Sequence, residues 1–218
     1  MWCIVDLTIH TIPSFILPQI LSRSVVQSVL SVEQAEGAGA RVRRSIGGRQ
    51  LRNFDPFLML DEFKVKAPNG FPTHPHWGFE TVTYMLQGAV SHEDFAGHQG
   101  VIYPGDLQWM TAGRGIMHSE KPYGTGESAG LQLWVNLAKE YRMVKPACQI
   151  WISICWYELR SKDISKVEKD GVHIAVIAGK AMDVESVVYT RTPTMYLDVT
   201  MQPGSSYSQA IPSDIAYV

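Results

Sequence analysis

Two short stretches carry residue types that can hold a metal ion. His74 and His76 are two positions apart, and so, some forty residues later, are His118 and Glu120. In an extended strand the side chains at i and i+2 point to the same face. Each pair can therefore offer both of its donors to one point in space. If the two strands meet, three imidazoles and a carboxylate converge. That donor set suits a divalent first-row transition ion, iron above all, with zinc, manganese, copper and nickel as alternatives. Two more histidines, His92 and His98, fall between the pairs. His92, in the run His92-Glu93-Asp94, can steer a ligand imidazole by a hydrogen bond or serve as an ordinary strand residue.

A second cluster is basic. Arg41, Arg43, Arg44, Arg49 and Arg52 lie within twelve residues. A solvated turn accounts for them, and so does a patch that docks an acidic partner. No aromatic residues are interleaved among them, which argues against a groove for single-stranded nucleic acid.

The whole chain bounds these readings. Its 218 residues suit one large domain or two small ones, and 45% hydrophobic with 18% charged residues is an ordinary globular profile. A net charge of −2 gives no global attraction to nucleic acid or to an acidic membrane. Cys3, Cys148 and Cys155 form no Cys-x-x-Cys motif, and their odd number argues for a reducing compartment over a disulfide framework. No apolar run reaches the length of about 18 residues that a membrane-spanning helix needs. The apolar stretch from Met1 to Leu30 has its first basic residue at Arg23, unlike a secretory signal. It reads as a poorly ordered leader, with an organelle presequence left open.

The elements that must position the candidate ligands are strands. Phe57 to Leu60 is an uninterrupted apolar run, and Glu80 to Leu86 is rich in β-branched and aromatic residues. Leu107 to Thr111 alternates. In Leu131 to Leu137, Leu131, Leu133, Val135 and Leu137 share one face. Glycine and proline turns separate these runs at close spacing, the pattern of an antiparallel sandwich or barrel. The short segment from Ala138 to Met143 is the one helical candidate. Cys148 to Trp156 is apolar, β-prone and uncharged, and Arg160 to Asp170 is a charged linker. Strand texture resumes over Val172 to Ile177, Val184 to Tyr189 and Met195 to Met201.

The runs around the ligand pairs resemble the pirin family. They are His74-Pro75-His76-Trp77-Gly78-Phe79-Glu80-Thr81-Val82-Thr83-Tyr84, His92-Glu93-Asp94-Phe95, Pro104-Gly105-Asp106-Leu107-Gln108-Trp109-Met110-Thr111-Ala112-Gly113-Arg114-Gly115 and His118-Ser119-Glu120. Arg43-Arg44-Ser45-Ile46-Gly47, Asp55 to Phe63 and Tyr189 to Asp198 match as well, and the likeness extends from Val32 to Pro212. The resemblance implies an all-β cupin fold, the double-stranded β-helix or jelly-roll barrel, in a bicupin arrangement of two tandem barrels. The expected organisation is a leader over residues 1–30 and a complete metal-binding barrel over 31–138. A linker follows over 139–170, with an incomplete second barrel over 171–218.

The same resemblance implies one iron ion per chain, held by His74, His76, His118 and Glu120, with Glu80 and His92 outside the ligand set. It implies a nuclear protein, present also in the cytoplasm, that acts as a transcription cofactor through a protein partner such as a transcription factor or signalling protein. Arg41, Arg43, Arg44, Arg49 and Arg52 are then the docking surface, with neither sequence-specific nucleic-acid binding nor a membrane role. The alternative it carries is quercetin 2,3-dioxygenase activity on a flavonol, with Glu120 as the base. Of the two, the cofactor role is the leading expectation. Two departures stand out: Cys148–Trp156 reads as an insert, and the second barrel stops after a few strands.

Overall fold

In a computed structural model the protein is described over residues 24–25, 27–148 and 158–211. The expectations for most of the leader, for most of the apolar insert and for residues 212–218 fall outside the described residues. The chain forms two compact units. The larger takes residues 29–163 with 189–193, and the smaller takes the other described residues from 164 onward.

Among the described residues the larger unit holds twelve strands. They are β1 (Val32–Glu36), β2 (Ala40–Ile46), β3 (Phe57–Lys66), β4 (Phe71–His76), β5 (Phe79–Gln87), β6 (Val90–Asp94), β7 (Gln99–Ile102), β8 (Leu107–Thr111), β9 (Ile116–Pro122), β10 (Glu127–Asn136), β11 (Ala147–Cys148) and β12 (Glu158–Leu159). Eight of them make one antiparallel sheet in the order β1-β2-β3-β10-β5-β8-β11, with β12 also on β8. The other four make a second sheet, β4-β9-β6-β7.

A core cluster joins the two sheets. Val42 from β2, Phe63 and Val65 from β3 and Met85 from β5 pack with Val90 from β6 and Ile102 from β7. Burying each such side chain contributes about 1.5–3 kcal/mol, so this shared face holds the sheets together as a barrel. The alternation read in the sequence sorts each strand. On β10, Leu133 and Val135 are buried on the outer face. Gln132 and Trp134, which alternate with them, turn into the barrel, where they line its cavity.

Two glycines set the entry to the histidine-bearing strands. Gly78 has φ +81° and donates its N–H to the Gly113 carbonyl at 2.7 Å. Gly113 has φ +51°, and a Cβ there would overlap the Val144 carbonyl oxygen. The left-handed turn costs glycine nothing, whereas another residue would strain it and lose the close approach. The end of β4 and the start of β9 are thereby tied together.

Residues 139–163 belong to the larger unit, although they read as linker. Glu158 and Leu159 pair with Gln108 and Leu107, and Leu159 is buried. Ala138 to Met143 forms turns and no helix. Arg142 Nε donates to the Leu137 carbonyl at 2.9 Å, which holds the chain in a bend as it leaves β10. Among the described residues the one helical piece is the 3-10 turn Ser161–Asp163.

The smaller unit has a three-stranded sheet of β13 (Ser165–Lys169), β14 (Val172–Ala178) and, last in the chain, β17 (Tyr196–Met201). A short ribbon of β15 (Lys180–Ala181) and β16 (Val184–Glu185) lies between β14 and β17 in sequence. Val172, Ile174, Val176 and Ala181 form its own core. The strand expected over Val184 to Tyr189 ends at Glu185. There Ser186 Oγ donates to the Ile177 carbonyl and accepts from the Val188 N–H, which turns the chain.

Candidate metal centre

The pairing of β4 with β9 sets His74 directly opposite His118. Because i and i+2 share a face, His76 joins them on the inner side of the barrel. One ring nitrogen from each imidazole lies within 4.8 Å of the others. His76 Nε2 is 2.9 Å from His118 Nε2, and His118 Nε2 is 3.2 Å from His74 Nε2. Ligand nitrogens set at right angles about 2.1 Å from one ion stand about 3.0 Å apart, so these spacings fit a shared divalent ion. Among the described residues these three histidines are the group of metal-type donors that converges so closely.

The surroundings keep the imidazoles ready to act as ligands. His74 Nδ1 donates to the Pro72 carbonyl at 2.8 Å, which leaves its Nε2 lone pair facing the cluster. Burial, reinforced by the neighbouring imidazoles, holds the His76 pKa down at about 3. Burial holds His118 at about 3 as well, with His74 adding to the effect. Both rings are therefore neutral near pH 7, as metal ligation requires. Phe79 and Trp134 pack edge-on against His76, with ring centroids 5.3 Å away in each case.

Glu120 lies two residues beyond His118 on β9, buried and lining the same cavity. Its carboxylate is not among the converging donors. Burial pushes its pKa up, against the pull of the His74 and His92 imidazoles and the Thr83 hydroxyl. Glu80 points the other way. Phe79 faces the His76 ring, so Glu80, next along β5, takes the outer face of the sheet. There its Oε1 accepts from Thr111 Oγ1 at 2.6 Å, and burial raises its pKa.

His92 sits opposite Glu120 across β6 and β9. Its Nε2 lies 2.7 Å from Glu158 Oε1, a partner the sequence did not disclose. Arg160 continues this contact. It pairs with Glu158 at 2.6 Å and with Asp106 at 2.9 Å. Gly100 makes the approach feasible, since a Cβ there would overlap Glu158 Oε1.

The five arginines divide. Arg43, Arg49 and Arg52 are exposed, and Arg41 is exposed but paired with Glu33 at 2.8 Å. Arg44 does not join that surface. It is in phase with the buried Ala40 and Val42 and turns inward to line the cavity. Its Nε and Nη2 donate to the two oxygens of Asp61 at 2.9 and 2.7 Å, and Nη2 also reaches Glu36 at 2.8 Å. Burial raises the Asp61 pKa, and the Arg44 fork opposes that rise; with both oxygens facing the guanidinium, the pair stays ionic.

The cavity beside the imidazoles measures ≈ 590 Å³. Most of its wall is apolar, with Val42, Leu58, Met59, Phe63, Val65 and Trp134 prominent. Its size and lining fit a small organic molecule with a few fixed polar contacts.

The protein-family model described as Pirin matches residues 39–135. A pirin-like protein of Solanum lycopersicum is 60% identical over 190 residues, which cover 87% of this chain and 62% of that protein. Human pirin is 57% identical over 192 residues, covering 88% of this chain and 63% of its own length. The chain thus spans just over three fifths of the length of these relatives. Among solved structures, GK1651 of Geobacillus kaustophilus is 32% identical with a TM-score of 0.70, covering 81% of this chain and 68% of that one. A quercetin 2,3-dioxygenase of Acinetobacter baumannii is 33% identical with a TM-score of 0.67, covering 78% of this chain and 61% of its own. The shared residues surround the histidine-bearing strands of a cupin barrel, and the chain belongs to the pirin family.

Proposed function

We propose that the larger unit binds one divalent iron ion through His74, His76 and His118, with Glu120 as the fourth ligand, and uses it on a chelating small molecule of the flavonol class. The observation that carries this reading is the convergence of three Nε2 atoms, 2.9 and 3.2 Å apart, at the wall of a largely apolar cavity. A bound iron ion supplies Lewis acidity toward a pair of adjacent oxygens and the redox capacity for dioxygen chemistry.

The chain's own residues do the rest. His74, His76 and His118 present neutral imidazoles. Trp134 and Phe79 wall the imidazole end with apolar surface, which limits water there. Glu120 lines the same cavity and, on loosening from the ion, would take the proton that a chelating hydroxyl gives up. The resemblance of the chain to a solved quercetin 2,3-dioxygenase supports the reading. Oxygen uptake with quercetin tests it. Iron-dependent turnover in the intact protein, lost in His118→Ala, is expected. No metal-dependent turnover overturns it.

A second reading, transcription cofactor, rests on the exposed Arg43, Arg49 and Arg52 and on what the pirin resemblance of the sequence implies. In it the metal site modulates a basic surface that docks a protein partner in the nucleus. The inward turn of Arg44 removes one of the five arginines from that surface, and the cavity gives the small-molecule reading the stronger geometric support. Pull-down with Arg43 and Arg49 replaced by Glu tests docking; unchanged capture counts against it.

A further inference from the structure

A row of polar side chains crosses the inner face of the large sheet. Arg44 pairs in register with Asp61, Asp61 with Gln132, Gln132 with Thr83, and Thr83 with Gln108. The row runs across four strand pairings, and Arg44, Asp61 and Gln132 of it line the cavity. Thr83 Oγ1 donates to Gln132 Oε1 at 2.6 Å, which leaves the Gln132 amide N–H groups for the cavity that this residue lines.

The Arg44 end of the row is unevenly charged. One guanidinium faces two carboxylates, Asp61 and Glu36. Asp61 is 2% exposed, so little solvent screens it. Lys121 also touches the cavity, but strand alternation sets it opposite Glu120, and its side chain is exposed. The local balance at the Asp61 end is one excess negative charge.

Asp61 also lines the same cavity as His74 and His76. Trp134, which packs on His76, is two residues from Gln132 on the same face, and Gln132 is one strand from Asp61. Two residues along a strand and one strand across make a diagonal of about 8 Å. A flat molecule that chelates at the imidazole end and lies along Trp134 and Gln132 would extend its far ring toward Asp61.

We propose that Asp61, held by the Arg44 guanidinium that also binds Glu36, is the specificity-determining residue of this cavity, selecting chelators whose far end carries a neutral hydrogen-bond donor and rejecting those with an anionic far end. This rests on the small-molecule reading above and adds the substituent chemistry to it. A phenolic hydroxyl at the far end donates to a lone pair of Asp61 that the Arg44 fork leaves free. A carboxylate there meets like charge in a poorly solvated wall.

The test is anaerobic titration calorimetry on the iron-loaded chain with three flavonols: one with an unsubstituted pendant ring, its hydroxyl analogue and its carboxylate analogue. The hydroxyl analogue is expected to bind about tenfold tighter than the unsubstituted compound, and the carboxylate analogue weaker than either. Asp61→Asn is expected to collapse the spread between hydroxyl and carboxylate. If thermal melts show that this variant is not folded, Glu36→Gln keeps the Asp61–Arg44 fork and is expected to narrow the carboxylate penalty. Equal affinities for the three compounds, or tighter binding of the carboxylate, overturn the proposal while leaving the small-molecule reading intact. No binding of any flavonol overturns both.

Discussion

At the scale of single residues the centre depends on three neutral imidazoles whose nitrogens point at one another. Replacing His118 removes the member that contacts both of the others. His118→Ala is expected to weaken iron retention more than a hundredfold, since loss of a mere supporting hydrogen bond already costs about 10–100-fold. His98→Ala, which alters a ring paired with Asp94, is expected to retain the metal; elemental analysis after dialysis separates the two. Protons compete for the same nitrogens. The unfolded chain protonates His76 and His118 near the ordinary value of 6.5, whereas the folded, metal-free chain does so only near 3. Between those values the unfolded state binds more protons, so folded stability rises with pH. The imidazole contribution, read as the difference in melting temperature between the metal-free protein and its His118→Gln variant, is expected to be full above about pH 6.5 and to shrink as pH falls toward 3; the buried Glu80, Glu120 and Asp61 carboxyls, whose pKa values burial raises, act in the opposite sense and cancel in that difference. Thermal melts across that window check this, and a flat profile contradicts it. The residue types and the i, i+2 spacing made the histidines legible, because strand alternation acts over two residues. The inward turn of Arg44 was written in its phase with Ala40 and Val42, but the density of arginines around it made the whole run read as surface.

At the scale of elements, the strand texture was legible wherever apolar residues alternated, as in β5, β8 and β10. What eluded the sequence were contacts between elements far apart in the chain. Glu158 meets His92 across 66 residues. No local pattern at Glu158 announces that, because it follows an apolar run and opens a strand of two residues. The contact bridges the sheets: β12 pairs with β8 of the large sheet, while His92 belongs to β6 of the small one. Gly100, opposite His92 on β7, leaves the space for it. Gly100→Ala places a Cβ 2.8 Å from His92 Nε2 and overlapping the Glu158 carboxylate, so the bond must open. Leaving buried partners unmatched costs about 1–3 kcal/mol. Denaturant unfolding is expected to show a loss of that size. Gly126→Ala, where a Cβ meets nothing within 4 Å, is expected to change little. Equal stability of the two variants argues that Glu158 is not held by His92.

At the scale of the whole molecule, the chain divides into two units, each with its own apolar core. The ligand histidines all belong to the larger one, through β4 and β9. A ligand that binds only the folded form of one unit stabilises that unit by mass action, by about 4 kcal/mol at a free concentration a thousandfold above its dissociation constant. The smaller unit offers the metal no such cluster among its described residues. Its core of Val172, Ile174, Val176 and Ala181 is built from β14 and β15 and from apolar residues packed on them. Calorimetry of the full chain with and without divalent iron is therefore expected to show the transition of the larger unit moving to higher temperature, with that of the smaller unit unmoved. Hydrogen exchange assigns the transitions, with amides of β5 and β10 reporting the first and those of β14 the second. His118→Ala is expected to abolish the shift without lowering the second transition. Joint movement of both transitions on metal addition would show that β14 and its neighbours do not unfold on their own, and the smaller unit would then owe its fold to the metal-bearing barrel.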